Sequence, residues 1–383
     1  MVRYVYDIAE EPGEGRDEPG AGAPGRPGAD AAGLLGAKGA DLAGLARLGL
    51  PVPAGFTVTT EAYRVFRATG APPPGLETEL AEHLARLERV SGRRLGRVDD
   101  PLLLSVRPGA RVAVPGLMPT VLDVGLNDHA VLGLAGTPAR ERFAWDSYRR
   151  LVRAFGTAVM GVDPALFDGV LHRVEDQHHV ADESRLDACD LIRIVETYKD
   201  VVRERTGEDF PQDPFEQLRR AVRAAFASWD GEPARLHRRR AGVPDEPGTA
   251  VTVQTMVFGN RDAESGSGVA LTHDPATGRP GVCGGYLPGA QGEDVASGTR
   301  EALPPAEFAR LAPAAYGALC GHLRRLEEHH RDVCGLDFTV ERGRLWTLRS
   351  HVGEPAVRAA AGTVARPAAE GAAPGPAAGG GQG

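Results

Sequence analysis

Apolar positions in this chain recur with strand spacing at its start, with helix spacing through its middle, and with strand spacing again beyond residue 248. Residues 3–7 read as a short strand, and residues 10–32, rich in Gly, Pro, Glu and Asp, read as a flexible loop after it. A short helix is expected at about 40–48, stopped by Gly49 with Pro51 and Pro53 behind it. Residues 56–60 read as a strand. Leu76, Leu80, Leu84 and Leu87 share one helix face. The apolar run 101–107 reads as a buried strand that delivers a charge, Arg107, at its end.

In the middle, Trp145, Tyr148, Val152, Phe155 and Val159 form one helical stripe, and Leu191, Ile194, Val195, Tyr198 and Val202 another. Asp213-Pro214-Phe215-Glu216 has the order of a helix start, with a capping residue, a proline in the first turn and a glutamate three after the cap. Phe215, Leu218, Val222 and Phe226 follow as its apolar face. These aromatic stripes read as core. Beyond residue 248 the period changes to two: 249–258, 268–274 and 336–349 read as strands, the last a hairpin around Glu341-Arg342-Gly343-Arg344. A helix at about 305–330 interrupts them. Residues 356–383, rich in Ala, Gly and Pro, read as a disordered tail. Helices and strands mixed in this way predict an α/β (α+β) protein.

Composition narrows the chemistry. The chain has 383 residues, 42% of them hydrophobic, which permits two or three compact units. A net charge of −8 leaves no basic excess to neutralise phosphates, so a general nucleic-acid binder is excluded. No stretch approaches the ~18 apolar residues of a membrane span, and Met1-Val2-Arg3-Tyr4-Val5-Tyr6 lacks a signal-peptide run. Cys189, Cys283, Cys320 and Cys334 are scattered, without metal-ligand spacing. That fits free thiols in a reducing cytoplasm, although an even number also permits disulfides. His178-His179 and His329-His330 are adjacent on helices, so neither pair shares a face for a metal.

Among 44 basic residues only Lys38 and Lys199 are lysines. Lys38 lies in Leu34-Leu35-Gly36-Ala37-Lys38-Gly39-Ala40. A lysine is a compact, flexible point charge suited to a phosphate, and glycines let backbone approach a ligand. The plain alternative, a solvated loop lysine, stands beside this reading, because the segment is not a complete phosphate-loop motif.

Further segments bear on that choice: Gly49-Leu50-Pro51-Val52-Pro53-Ala54-Gly55-Phe56, Ser105-Val106-Arg107-Pro108-Gly109-Ala110-Arg111 and Phe210-Pro211-Gln212-Asp213-Pro214. They continue with Val253-Gln254-Thr255-Met256-Val257-Phe258-Gly259-Asn260, Asp274-Pro275-Ala276-Thr277-Gly278, Ala290-Gln291-Gly292-Glu293-Asp294-Val295 and Asp337-Phe338-Thr339-Val340-Glu341. In order, from about residue 1 to 354, they resemble the N-terminal nucleotide-binding domain of pyruvate, phosphate dikinase. Phe-Pro-Gln-Asp-Pro and Val-Phe-Gly-Asn favour that family over phosphoenolpyruvate synthase and the rifamycin phosphotransferases.

The resemblance implies an ATP-grasp-like fold of two lobes closing on ATP, with a helical insertion. Expected boundaries are 1–128 for the N-terminal lobe, 129–245 for the helical subdomain, 246–355 for the C-terminal lobe and 356–383 for the tail. It also implies phosphoryl transfer from ATP to a histidine on a separate swivelling domain. Lys38 and Arg107 fall on the family's phosphate-contacting cations. Gln254, Met256 and Val257 fall on the strand lining the adenine pocket, Glu293 and Asp294 on acidic nucleotide-site residues, and Asp337 on a magnesium-site carboxylate. Strand alternation puts Asp337, Thr339 and Glu341 on one face, opposite Leu336, Phe338 and Val340. Magnesium is held by one or two carboxylates plus phosphates, so such a face suits it; an ordinary solvated strand face is the alternative.

Departures gather on the chemistry. Gly335-Leu336-Asp337-Phe338 stands where the family has Asp-Ile/Thr-Glu-Phe, so the partner carboxylate of Asp337 is gone. Arg349 replaces a glutamine and His351 an arginine. Gly285 replaces another acidic residue. Weaker Mg–ATP binding is expected, with Arg349 neutralising phosphates in place of the metal. No Thr-Ser-His motif or barrel follows, so the chain is not expected to complete the dikinase reaction alone. Two functions remain open: an ATP-binding module that phosphorylates a histidine on a partner protein, and a degenerate, non-catalytic nucleotide-binding or regulatory paralogue.

Overall fold

In the computed structural model of the chain, residues 2–9, 29–111, 118–180, 183–243, 248–298 and 300–364 are described. They form two compact units. One runs to Val257 and includes Trp346–Arg349; the other comprises Phe258–Leu345 and continues from Ser350.

The first unit contains, in order, β1 (Val5–Asp7), α1 (Ala29–Arg47), β2 (Gly55–Val58), α2 (Thr60–Thr69), α3 (Leu76–Ser91), β3 (Leu104–Ala110) and β4 (Val121–Val124). It continues with α4 (Ala130–Ala135), α5 (Pro138–Ala158), α6 (Pro164–His178), α7 (Ala188–Thr206), α8 (Pro214–Trp229), α9 (Glu232–Ala241) and β5 (Thr249–Thr255). The strands make one antiparallel sheet in the order β1-β2-β5-β3-β4. Phe56, Val253 and Val106 are cross-strand partners on the apolar face. The row of Thr57, Thr252 and Arg107 lies on the opposite face, as the two-residue strand period requires. β5 is thus the centre of the first sheet, although its position in the chain suggested the C-terminal lobe. Six of its seven residues are buried, and a strand buried on both faces gains most between two neighbours.

The second unit holds β6 (Gly266–His273), β7 (Pro280–Pro288), α10 (Gly292–Ser297), α11 (Pro305–Leu311), α12 (Pro313–His330), β8 (Cys334–Glu341), the two ends of β9 (Arg344–Val352), whose residues Trp346–Arg349 count with the first unit, and α13 (Glu354–Val364). Its sheet runs β7-β6-β8-β9. One face stacks Tyr286, Phe308 and Phe338. The other packs Val269, Leu271 and Leu287 against Val295, Val357 and Ala360 of α10 and α13. The β8–β9 turn uses Arg342 and Gly343, both at positive φ (51° and 74°), the geometry that two-residue hairpin turns need.

Several expectations change. α1 starts at Ala29, inside the expected loop; residues 10–28 lie outside the described residues. Pro313 splits the expected 305–330 helix into α11 and α12, since proline supplies no N–H inside a helix. β7 was not anticipated. The tail was expected from 356, but Glu354–Val364 is helical because Val357 and Ala360 reach a core; 365–383 lie outside the described residues. All four cysteines are free thiols. No described helix is long and apolar enough to cross a membrane.

The motif Phe210-Pro211-Gln212-Asp213-Pro214 serves the helical region as a clasp. Buried Gln217 accepts from the Gly125 amide at 2.9 Å and donates to the Leu126 and Pro211 carbonyls, each at 2.8 Å. Gln212 accepts from the Asp128 amide at 2.9 Å. Asp128 in turn accepts from Tyr148 at 2.8 Å and from Lys199 at 2.9 Å. Lys199, the second lysine, is therefore a structural cation. Asp213 caps α8 by accepting from the Phe215 amide, with Pro214 at its first turn. Beneath this clasp the aromatic stripes of α5, α7 and α8 are buried, except that Trp145, Val159 and Phe215 lie at its margin.

A second polar cluster is buried in α5. Asp146 is bound by Arg149 at 2.7 Å and by Arg150 at 3.0 Å, and Glu183 bridges to both arginines. Burial opposes the Asp146 charge, but Arg149 and Arg150 outweigh it and hold the carboxyl down at about 2.

Two predictions follow from these clusters. Gln217→Leu removes three buried hydrogen bonds and leaves their backbone partners unpaired. It should cost about 3 kcal/mol at roughly 1 kcal/mol per bond; an unchanged urea midpoint refutes the clasp. Because the Asp146 carboxyl is depressed in the fold, its contribution is complete above the ordinary carboxylate value near ~4 and lost as pH falls towards about 2. Asp146→Asn should therefore cost about 3 kcal/mol near neutrality. Its deficit against wild type in thermal unfolding should shrink between about pH 4 and about pH 2.

Candidate functional site

In the first unit, the residues of interest meet at a glycine. Gly36 interrupts α1 with φ 68° and ψ 169°, so Ala37–Arg47 forms a separate helical segment with Lys38 in its first turn. A Cβ on Gly36 would lie 1.8 Å from the Gly109 carbonyl oxygen, so no other residue fits there. The approach is close on its other side too. A Cβ on Gly109 would stand 3.0 Å from the Lys38 Cβ, and one on Gly39 would stand 2.8 Å from Thr57 Oγ1. α1 therefore lies on the sheet face that carries Thr57, Thr252 and Arg107. Gly109 follows Arg107 by two strand positions, about 7 Å, on the same face. Lys38 and Arg107 are brought together in this way, both half-buried. The Lys38 ammonium donates to the Leu348 carbonyl.

Gln254 is buried. Its Nε2 donates to the Pro53 carbonyl at 3.0 Å, and its backbone carbonyl lies 3.4 Å from the Ser105 hydroxyl. The Thr255 amide donates to Ala54 at 2.9 Å and the Met256 amide to Leu103 at 2.8 Å. The Gln254 side chain thus fastens β5 to the Pro51-Val52-Pro53-Ala54 segment. Met256, buried, and Val257, half-buried, follow beyond the strand.

In the second unit, Glu293 and Asp294 open α10. Glu293 is exposed. Asp294 completes a capping box, accepting from the Gln291 amide at 2.8 Å while the Gln291 side chain accepts at the third helical position. Gln291 also accepts from the Gly259 amide at 3.1 Å.

The polar face of β8 is paired along its length. Thr339 meets Ser267 at 2.9 Å, and Glu341 meets Arg261 at 3.3 Å. Asp337 Oδ1 lies 2.7 Å from His351 Nε2, with the Asp337 side chain 34% exposed and that of His351 10%. An ionised carboxylate only accepts, so His351 Nε2 carries the proton in this bond. The sequence does not foresee the pairing of Asp337 with His351, although it marks Gly335 and His351 as departures from the family pattern. Only the folded hairpin brings positions fourteen residues apart into contact.

The residues present do not fit a divalent cation. A hard cation takes carboxylate and phosphate oxygens. Here a single carboxylate is available, one of its oxygens is engaged by an N–H donor, and Gly335 supplies no ligand. Among the described residues no group of three or more His, Cys, Asp and Glu side chains could hold a metal ion. Arg349, exposed, precedes His351 by two residues.

Residues 69–315 match the family described as the pyruvate phosphate dikinase AMP/ATP-binding domain. The chain is 42% identical over 315 residues to pyruvate, phosphate dikinase of Clostridium symbiosum, covering 82% of this chain and 36% of that protein. It is 42% identical over 311 residues to the chloroplastic pyruvate, phosphate dikinase 1 of Arabidopsis thaliana, covering 81% and 32%. With the Rhizobium meliloti dikinase the identity is 40% over 329 residues, covering 82% and 37%. The chain spans about a third of the length of these curated relatives. With most of its described helices and strands inside the matched stretch, the chain belongs to the pyruvate phosphate dikinase AMP/ATP-binding domain family.

Proposed function

We propose that this chain binds ATP, gripping its phosphates with Lys38 and Arg107 and lining its adenine with Met256 and Val257 beside the Gln254 anchor. Glu293 and Asp294 are its acidic contributions, Asp294 also capping α10. The observation that carries this reading is the approach of Gly36 to Gly109. It presses a lysine in the first turn of a helix against the strand that bears Arg107, and helix starts favour anions. Phosphoryl transfer depends on positioned cations more than on covalent chemistry, and a lysine and an arginine on one sheet face supply them.

For turnover, we propose that a phosphoryl group passes from ATP to a histidine on a separate phosphohistidine-domain protein. The imidazole nitrogen attacks phosphorus with its lone pair; as the N–P bond forms, the P–O bond to the rest of the nucleotide breaks, and the nucleotide leaves with that electron pair on its phosphate oxygen. The second reading, a nucleotide-binding paralogue that does not transfer, is favoured by one observation: Asp337 is bound to His351, and Gly335 leaves it without a partner carboxylate.

Isothermal calorimetry tests the binding site. Lys38→Ala should weaken ATP binding by about tenfold to a hundredfold, the worth of a charge-assisted contact, and Lys38→Arg should restore it only in part. Equal affinity in wild type and Lys38→Ala removes Lys38 from the site. Gly36→Ala should lower affinity as well, because its Cβ must drive the helix off Gly109. Incubation with γ- or β-labelled ATP and candidate partners separates the two readings of turnover. An acid-labile label on a partner histidine supports transfer, whereas ATP binding without any labelled partner supports the paralogue.

A further inference from the structure

The second unit contains a hydrogen-bonded pair, Asp337 and His351, at the position where the fold family implies a metal. Gly335 and Asp337 are two residues apart on β8 and share a face. Their cross-strand partners on β6 are Leu271 and Val269. A Cβ on Gly335 would lie 3.6 Å from the His351 Cβ and 2.7 Å from Leu271 Cδ2. His351 therefore passes across the bare backbone of Gly335 to reach Asp337 Oδ1 at 2.7 Å. Gly335 and His351 are thus neighbours on this face at ordinary contact distance, while Leu271 and the Ala270 carbonyl, at 3.2 Å, crowd position 335 from β6.

We infer that His351 takes the place of a divalent cation beside Asp337, so that the nucleotide affinity of this chain is independent of divalent metal. The inference rests on the nucleotide-binding reading above. Its physical basis is compensation of charge. A buried or half-buried carboxylate needs a cation or N–H donors. In a carboxylate pair the like charges call for a metal, whereas a single carboxylate can be held by N–H donors. The imidazole N–H serves as such a donor. For a metal to enter on Oδ1, it must displace this hydrogen bond. His351 cannot ligate through Nε2 while that nitrogen carries the bonded proton. On β6 the pair faces Leu271 and Val269, whose side chains are apolar.

Two measurements on the full chain test this. The first needs no nucleotide: Mn2+ binding is followed by electron paramagnetic resonance. Wild type should show no Mn2+ site. His351→Gln, which keeps a donor beside Asp337, should behave like wild type. The double variant Gly335→Asp with His351→Ala should gain Mn2+ affinity by roughly tenfold or more, the range that metal-site surroundings control. A wild-type Mn2+ site that persists in His351→Ala overturns the inference. The second measurement is ATP affinity in EDTA and in Mg2+. The two values should agree within about twofold, a difference of about 0.4 kcal/mol. Loss of binding in EDTA, restored by Mg2+, overturns the inference and leaves the nucleotide reading standing. Absence of ATP binding in both media overturns the nucleotide reading and, with it, the metal-independent affinity. The Mn2+ series then decides the role of His351 on its own.

Discussion

The first unit depends on the contact of Gly36 with the Gly109 carbonyl. A helix normally stands off a sheet by the depth of its side chains. Here two glycines remove that depth, and the backbones meet. Three features follow from the same contact. Gly36 takes a positive φ and a non-helical ψ, which splits α1. The new segment begins with Lys38 in its first turn, over the polar row of Thr57, Thr252 and Arg107. Gly39 has to be small because Thr57 fills the next position. The glycines around Lys38 are therefore packing requirements before they are a ligand cradle, and the lysine's placement is a consequence of the packing.

Many residues that the sequence marks out are used twice or are used structurally. Gln254 holds Pro53, Asp294 closes a capping box, and Gln212 and Gln217 clasp the loop before α4 to the loop before α8. Buried polar groups must be hydrogen-bonded, and an amide side chain with both donors and acceptors can tie two loops at once. The residues of the motif Phe210-Pro211-Gln212-Asp213-Pro214 fasten the helical region through these bonds. Lys199 belongs to the same network. The bias against lysine thus singled out two residues of different kinds, and only contacts could tell them apart.

Much of the fold was legible in the chain. The stripes at Leu76 to Leu87, Tyr148 to Phe155, and Leu191 to Val202 all face core, because a helix of several turns repeats its signal. The β8–β9 hairpin was legible from Arg342-Gly343, where the turn demands positive φ. What escaped was non-local. β7 is rich in glycine and carries little β-branched signal, and its pairing with β6 decides its state. The central place of β5 depends on partners nearly 150 and 200 residues earlier, Ser105 and Gly55 against Gln254. α13 looked like low-complexity tail, since Ala and Gly carry little periodicity; only Val357 and Ala360, meeting Leu271 and Val295, hold it in place. Of the candidate site, Lys38 and Arg107 were legible as types and their proximity was not, because it rests on Gly36 and Gly109 together.

The pair Asp337 and His351 shows how a departure from a family pattern is read physically. Taken singly, Gly335 is a lost ligand and His351 a lost arginine, and each suggests decay. In the fold they are adjacent, and together they leave Asp337 satisfied with no unbalanced carboxylate beside it. Random loss of one member of a carboxylate pair would leave the survivor to water or to a metal. Here the vacated space is filled by a group of the right chemistry to replace the cation's hold on Asp337. The hold on Asp337 that a metal would supply from solution is provided by the chain itself, through the His351 N–H. On the proposed reading, a site built in this way suits holding a nucleotide better than bridging its phosphates during transfer, since an imidazole N–H satisfies the carboxylate it bonds and cannot span two phosphates as a cation does.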